Sequence, residues 1–325
     1  MNSRERVLTA LRLGQPDRVP FVEGEVNIKI QRALMGKDTF LPEEVNEVMG
    51  LDNLIVLFRP PTFAETHEED GIPYITKPLI TSRADLDKMV FPDPDDPALY
   101  IEAAALIRRN QGKYAVAANM RVGVSAMLLS MGLDNFSYAL ADDPGFVDTA
   151  LGRFCDWTVA MVGKLRDFGV DYIWTFDDIA YHAGPMFSPR VFRSLFLPHM
   201  RRVADAIHDT GLPWIYHSDG NLMAVLDDLL SLGMQGLHPL EPGAMDIEAM
   251  KRDYGQRICL VGNIDLHYTL TRGTPEEVDA EVKRRIEVVG QGGGYMISSA
   301  NSIVSYCKVE NVRAMVDAIR KYGAY

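Results

Sequence analysis

The sequence predicts an α/β protein, a single (β/α)8 TIM barrel with an N-terminal helix and a small β insertion after strand 2, on three observations. Eight short apolar runs of strand length recur along the 325 residues. Between them lie stretches with helical spacing and helix start and stop signals. The runs are nearly continuous in apolar residues, as expected of strands in a parallel sheet covered on its outer side. A count of eight favours a closed barrel over an open doubly wound sheet, and such barrels run to roughly 250 residues and more as one domain. Residues 1–325 are therefore read as one domain.

The elements follow in order. MNSRERVLTALRLGQPDRVP opens the chain as an amphipathic, charged helix rather than a basic leader with an apolar core. Strands are expected at 19–23 (VPFVE), 53–58 (NLIVLF), 114–119 (YAVAAN) and 170–176 (VDYIWTF). Four more are expected at 213–217 (PWIYH), 234–238 (MQGLH), 258–263 (ICLVGN) and 294–299 (GYMISS). Ser188-Pro189 with Gly211, and Thr274-Pro275-Glu276-Glu277 with Gly290, bracket two of the helices. Residues 63–97 do not fit a simple unit and read as a β excursion with a Pro- and Asp-rich link, an insertion on the barrel.

Composition narrows the partners. The formal charge of -12 argues against a nucleic-acid backbone or an anionic membrane surface. No run approaches ~18 consecutive apolar residues, so a cytoplasmic protein is expected. Cys155, Cys259 and Cys307 lie far apart with no C-x-x-C pair, which leaves neither a disulfide framework nor a sulfur-rich zinc cluster. A homodimer stays open.

In such a barrel the loops after the strands build the active site, so what stands after each apolar run is diagnostic. In order these residues are Glu23 and Glu25, Arg59, Asn119 and Arg121, Asp177 and Asp178, and His217 with Asp219 and Asn221. His238 with Glu241, Asn263 with Asp265, and Ser299 with Asn301 and Ser302 complete the set. The sharpest piece is HSDGN at 217–221. His217 and Asp219, two apart at a strand end, point the same way and can address one bound group. With Glu241 at the end of the next strand they make three ligands for zinc or a similar ion, leaving a position for substrate. A His-Asp pair is equally what a general acid and base, or a hydrogen-bonded substrate clamp, looks like.

These segments resemble the uroporphyrinogen decarboxylase superfamily, specifically its corrinoid-linked methyltransferase branch, over essentially the full length. The resemblance rests on SRERVLTALRLGQPDRVPF, FDDIAYHAGPMFSPRVFRSLFLPHMRRV, the HSDGN and HPLEP segments, VGNIDLHYTLTRGTPEEV and GGGYMISSANSI. It implies a (β/α)8 barrel. True decarboxylases carry an arginine-rich Met-Arg-Gln-Ala-Gly-Arg loop that grips substrate carboxylates; this chain has FVEGEVNIKI there, with Glu23 and Glu25 where cations are needed. The branch serving coenzyme M holds zinc with His-x-Cys and a later Cys. Here the pair reads His217-x-Asp219, and the later position falls near Ala300 or Asn301. Carboxylate in place of thiolate leaves a harder site suited to oxygen.

The resemblance thus implies the substrate-side methyltransferase of a corrinoid-dependent system, demethylating a small methoxylated compound. His217, Asp219 and Glu241 stand at its centre, and Asp178 orients or protonates the ether oxygen. Glu23, Asn119, Arg121, Asp177, Asn221, His238, Asn263 and Asn301 are the expected substrate contacts. Cobalamin is expected on a separate corrinoid protein, since no Asp-x-His-x-x-Gly motif occurs here. The rival readings are a cobalt-free decarboxylase using Arg59 or Arg121 to hold a carboxylate with Asp178 as the acid, and a non-catalytic binding barrel.

Overall fold

The computed structural model describes residues 1–69 and 72–325. Asp70 and Gly71, inside the expected insertion, lie outside the described residues. Seven strands form one parallel sheet, curled and TIM-barrel-like, with helices on its outer side. In chain order the strands of the fold are β1 Asn53–Leu57, β2 Ala64–Glu69, β3 Ile72–Pro78, β4 Ala115–Met120, β5 Tyr172–Phe176, β6 Ala180–Tyr181, β7 Gly184–Pro185, β8 Trp214–His217, β9 Gly236–His238, β10 Cys259–Val261 and β11 Tyr295–Met296. The sheet order is β1-β4-β5-β8-β9-β10-β11, so each strand lies beside the next in sequence, as right-handed β-helix-β units place them. The insertion is the antiparallel hairpin β2–β3 followed by two short 3-10 turns.

The ring is not closed by an eighth strand. The expected first strand, 19–23, is extended chain between β11 and β1 with one isolated parallel bridge, Phe21 to Ile297. The physical reason lies in its donors. Pro20 has none, Phe21 N–H goes to the Asp52 carboxylate at 2.9 Å, and Glu23 N–H goes to Asn53 Oδ1 at 3.1 Å. Side chains have taken the bonds that a ladder to β1 needs. On the other side Val22 N–H reaches Ile297 O and Ile297 N–H reaches Pro20 O.

Alternation along each strand decides which side chains reach the inside of the curl. Ala115, Ala117, Tyr172, Trp174, Ile215, Cys259, Val261 and Met296 form one buried cluster facing inward. Their neighbours Val116, Ala118, Ile173, Trp214, Tyr216 and Leu260 belong to the larger core under the helices. The N-terminal helix Ser3–Leu11 closes the strand-start end, since Val7, Leu8, Ala10 and Leu11 join the inner cluster. Arg6 and Arg18 both reach the fully buried Asp52, at 2.7 and 2.9 Å, and tie this helix and the 19–23 segment to the start of β1. Continuing the same alternation to the other end puts Asn119, Phe176, His217 and His238 on the inner face. Among the described residues no helix is long and apolar enough to cross a membrane.

Glu23 ties the open seam to the chain after β11. Its carboxylate accepts from Ser299 N–H at 2.7 Å and pairs with Ser299 Oγ at 2.8 Å. Burial pushes its pKa up to about 8, against the opposing pull of those two bonds. The native protein therefore keeps a proton that the unfolded chain releases near the ordinary carboxylate range, so stability falls as pH rises from about 4.5 to about 8. Urea unfolding across that window should show a decline in the wild type that Glu23→Gln lacks; identical profiles contradict the assignment. Glu23→Ala, which strands the Ser299 N–H and hydroxyl, should cost roughly 1–3 kcal/mol at pH 5.

Candidate active site

Parallel pairing in register builds the centre of the site. Phe176 of β5 pairs with His217 of β8, and His217 pairs with His238 of β9. Three rings of the inner face therefore lie side by side. Phe176 stacks on His217 with centroids 4.6 Å apart, and the two imidazoles are 4.8 Å apart. His217 Nδ1 and His238 Nδ1 are 2.6 Å apart, so one proton lies between them. Burial and the charge on His217 push the His238 pKa well down, which makes His238 the neutral acceptor and His217 the donor. His217 Nε2 is thereby turned the other way, toward the strand ends.

Two carboxylates meet it there. Asp178 Oδ1 lies 3.3 Å and Asp219 Oδ1 3.7 Å from His217 Nε2. Burial opposes protonation of His217, but the hydrogen bond and charge of Asp178, with Asp219 and Asp177, outweigh it and raise its pKa. Burial likewise acts to raise Asp178, and the His217 contact holds it below the usual range. Asp219 is pushed up to about 6, chiefly by burial. Its Oδ2 accepts from Asn301 Nδ2 at 2.5 Å, while its buried Oδ1 has no partner. The HSDG turn that presents Asp219 depends on Gly220 (φ +84°), where a Cβ meets the backbone of Ala180 and Tyr181 at 2.6 Å.

Asp178, His217 and Asp219 offer ligand atoms within 4.8 Å of one another. Three features suit a cation. The separations of 3.3 and 3.7 Å bracket the ~3.4 Å edge of a tetrahedron with ~2.1 Å bonds. Asp219 Oδ1 is a buried acceptor without a donor. His238 holds the far nitrogen of the imidazole, as partners behind metal-ligating histidines do.

The other expected residues fall into four places. Arg121 and Asn301 line the same cavity of about 530 Å³ as Asp178 and His217, together with Glu25, Arg59, Ser125, Phe176 and Ser302. Asn119 is buried behind it and accepts from Arg59 Nε at 2.6 Å. Glu23, Asp177 and His238 are buried supports; Asp177 accepts from the N–H groups of Val122, Gly123 and Ser125. Asn221, Glu241 and Asn263 lie apart. Asn221 accepts from Met223 N–H, and Asn263 joins Leu240 O to Arg285. Glu241, the third ligand expected from the sequence, accepts Gly220 N–H at 2.9 Å and meets His267 at 3.2 Å; Asp178 stands with His217 and Asp219 instead.

Sequence reasoning missed Ser125, whose Oγ accepts from Asp178 N–H at 2.7 Å, and the apolar wall of Leu128, Leu129, Leu133 and Met186. The signal was weak because Ser125, Leu128 and Leu129 stand on the helix Val124–Met131 and Leu133 opens the next helix, while Met186 follows only the two-residue strand β7. Among the aromatic residues near the strand ends, Phe176 lines the cavity; Phe58 and Phe63 pack against other rings, Trp174 is buried in the inner cluster, and Tyr138 and Tyr181 are exposed. Cys307 is outside the group, its thiol pushed up to about 11 by burial.

The profile of the family described as Uroporphyrinogen decarboxylase (URO-D) matches residues 64–322. The chain belongs to the uroporphyrinogen decarboxylase family. It is 26% identical over 295 residues to the uroporphyrinogen decarboxylase of Pelodictyon phaeoclathratiforme, covering 86% of this chain and 77% of that one. It is also 27% identical over 177 residues to the methylcobamide:CoM methyltransferase MtaA of Methanosarcina barkeri, covering 54% of this chain and 49% of that one. A methyltransferase from Methanosarcina mazei shares the fold at a TM-score of 0.79, with 21% identity over 99% of both chains. Membership makes the chain an enzyme by descent, and the family's likenesses run to decarboxylases and methyltransferases alike.

The two adjacent aspartates divide by role. Asp177→Ala strands three buried N–H groups and should destabilise the fold by about 3 kcal/mol or more. Asp178→Ala removes one backbone acceptor, for Asp219 N–H, and the partner of His217, and should cost less, roughly 1–2 kcal/mol. Chemical unfolding of both variants checks this, and equal losses contradict the division.

Proposed function

We propose that the protein is the substrate-side methyltransferase of a corrinoid-dependent system, removing the methyl group of a small methoxylated compound. The observation that carries the reading is the Asp178–His217–Asp219 group, backed by His238, with Asp178 and His217 on the wall of an open cavity. The likeness to MtaA supports corrinoid methyl transfer. In the proposed reaction the methyl carbon leaves its ether oxygen for the reduced cobalt of a separate corrinoid protein. The C–O electron pair stays on the oxygen, which departs as phenolate or alkoxide.

The barrel residues then have one task, to place positive charge at that oxygen. His217, Asp178 and Asp219 would hold zinc or a comparable divalent ion, which supplies Lewis acidity when bound. Imidazole with two carboxylates is a harder donor set than the thiolates of the coenzyme M enzymes, and suits an oxygen ligand. His238 fixes the His217 tautomer, Asn301 orients Asp219, and Ser125 holds the backbone of Asp178. The apolar wall excludes water from the leaving oxygen.

With a reduced corrinoid protein and methoxylated substrates, His217→Ala and Asp178→Ala should each lower methyl transfer by roughly 100-fold or more while the fold persists. Retained turnover in both variants sinks the assignment.

A second reading has its own observation. Arg59 and Arg121 line the cavity, and a carboxylate held there suits a decarboxylase acting on a small acidic substrate. Release of CO2 without any corrinoid partner selects this reading, and an absolute need for the corrinoid protein selects the first.

A further inference from the structure

The cavity has two chemically different ends, and the second has unspent donors. Arg121 Nε and Nη1 are buried without a hydrogen-bond partner. Asn119 Nδ2 beside it is likewise without an acceptor. Other inward-reaching arginines are matched: Arg6 by Asp17 and Asp52, and Arg285 by Glu248, Glu281 and Asn263. Arg59 and Arg121 form no ion pair among the described residues, and Arg59 has only the neutral Asn119 oxygen at 2.6 Å.

Arg121 acts through its charge on Asp177 and Asp178, and Glu25 on Arg59, but among the described residues none of these carboxylates makes a hydrogen bond or ion pair with either guanidinium. Both Asp177 oxygens are taken by backbone N–H groups, and Asp178 faces His217. Glu25, at the cavity rim, is exposed to water. Burial and the like charge of Arg121 push the Arg59 pKa down to about 10. Two partly buried cations beside each other, with free donors, form an environment that an anion relieves.

We propose that Arg121 and Arg59 form a carboxylate subsite, and that the molecule taken into this cavity is an acid carrying its anionic group at one end. The middle of the cavity supplies the rest of its shape. The Arg59 guanidinium stands 5.8 Å from the centroid of the Phe176 ring, and that same ring stacks on His217. One ring's width therefore separates the arginine end from the Asp178–His217 end. The wall between is apolar, with Leu128, Leu133 and Met186. A carboxylated ring with a methoxy group on its far side meets all three surfaces. The methoxy group alone rests on the methyl-transfer reading; the carboxylate does not.

The test is calorimetric binding of 3- and 4-methoxybenzoate, the matching methoxybenzyl alcohols and inorganic phosphate to wild type, Arg121→Gln, Arg121→Lys and Arg59→Gln, each with a thermal melt. The acids should bind roughly tenfold or more tightly than the alcohols, a difference that Arg121→Gln erases and Arg121→Lys partly retains. Melting temperatures of the Arg121 variants should hold, because Arg121 Nε and Nη1 have no hydrogen-bond partner to lose, whereas Arg59→Gln gives up the bond to Asn119 and should melt slightly lower. Equal affinity for acid and alcohol, phosphate bound at Arg121 with no acid preference, or an acid preference that survives Arg121→Gln each overturn the proposal. Acids that bind through Arg121 yet never yield a methyl group sustain the subsite and defeat the methyl-transfer reading. Alcohols that bind and are demethylated as well as acids do the reverse.

Discussion

The contact between His217 Nδ1 and His238 Nδ1 is the constraint on which the site depends. Strand pairing brings the two residues to the same height on β8 and β9, and alternation turns both rings inward. His217 gives its Nδ1 proton to the nitrogen that His238 offers, and His238 can offer it only while neutral. That choice of direction leaves His217 Nε2 facing Asp178 and Asp219 at the strand ends. Phe176 holds the ring plane from the side, and Gly24 makes room for Phe176, since a Cβ there meets its Cζ at 2.7 Å. The reactive geometry thus follows from backbone register and one proton.

Most of the fold was legible because a buried parallel sheet writes continuous apolar runs. Seven of the eight expected runs became strands of the sheet, and the 63–97 excursion became the hairpin β2–β3. The eighth, at 19–23, has the same apolar signature, yet its Phe21 and Glu23 donors go to the side chains of Asp52 and Asn53. Apolar periodicity reports burial, and is blind to which acceptor a backbone donor finds. The same limit applies to Glu23, whose position after an apolar run suggested a cavity wall. In the structure it is a buried clasp on Ser299.

Within the site, the His217–Asp219 pairing was readable from two-residue spacing alone. The third member was not. Asp178 and Glu241 both follow strands, and only the direction of each turn separates them. Asp177 is drawn inward by the N–H groups of Val122, Gly123 and Ser125 at the start of the helix after β4, which leaves Asp178 facing the cavity, while Glu241 is drawn to Gly220 and His267. The sequence placed Glu23 and Glu25 where a decarboxylase needs cations. Glu23 is buried against Ser299, while Glu25 lines the cavity together with Arg59, Arg121 and Asp178.

The claim at the centre is that His217, Asp178 and Asp219 together hold one divalent cation, and elemental analysis of the purified protein tests it most directly. The account predicts about one zinc or comparable ion per chain in the wild type, lost in both His217→Ala and Asp219→Ala and retained in Glu241→Ala. Wild-type protein that stays metal-free after dialysis against zinc, or metal lost with Glu241 and kept without Asp219, contradicts it.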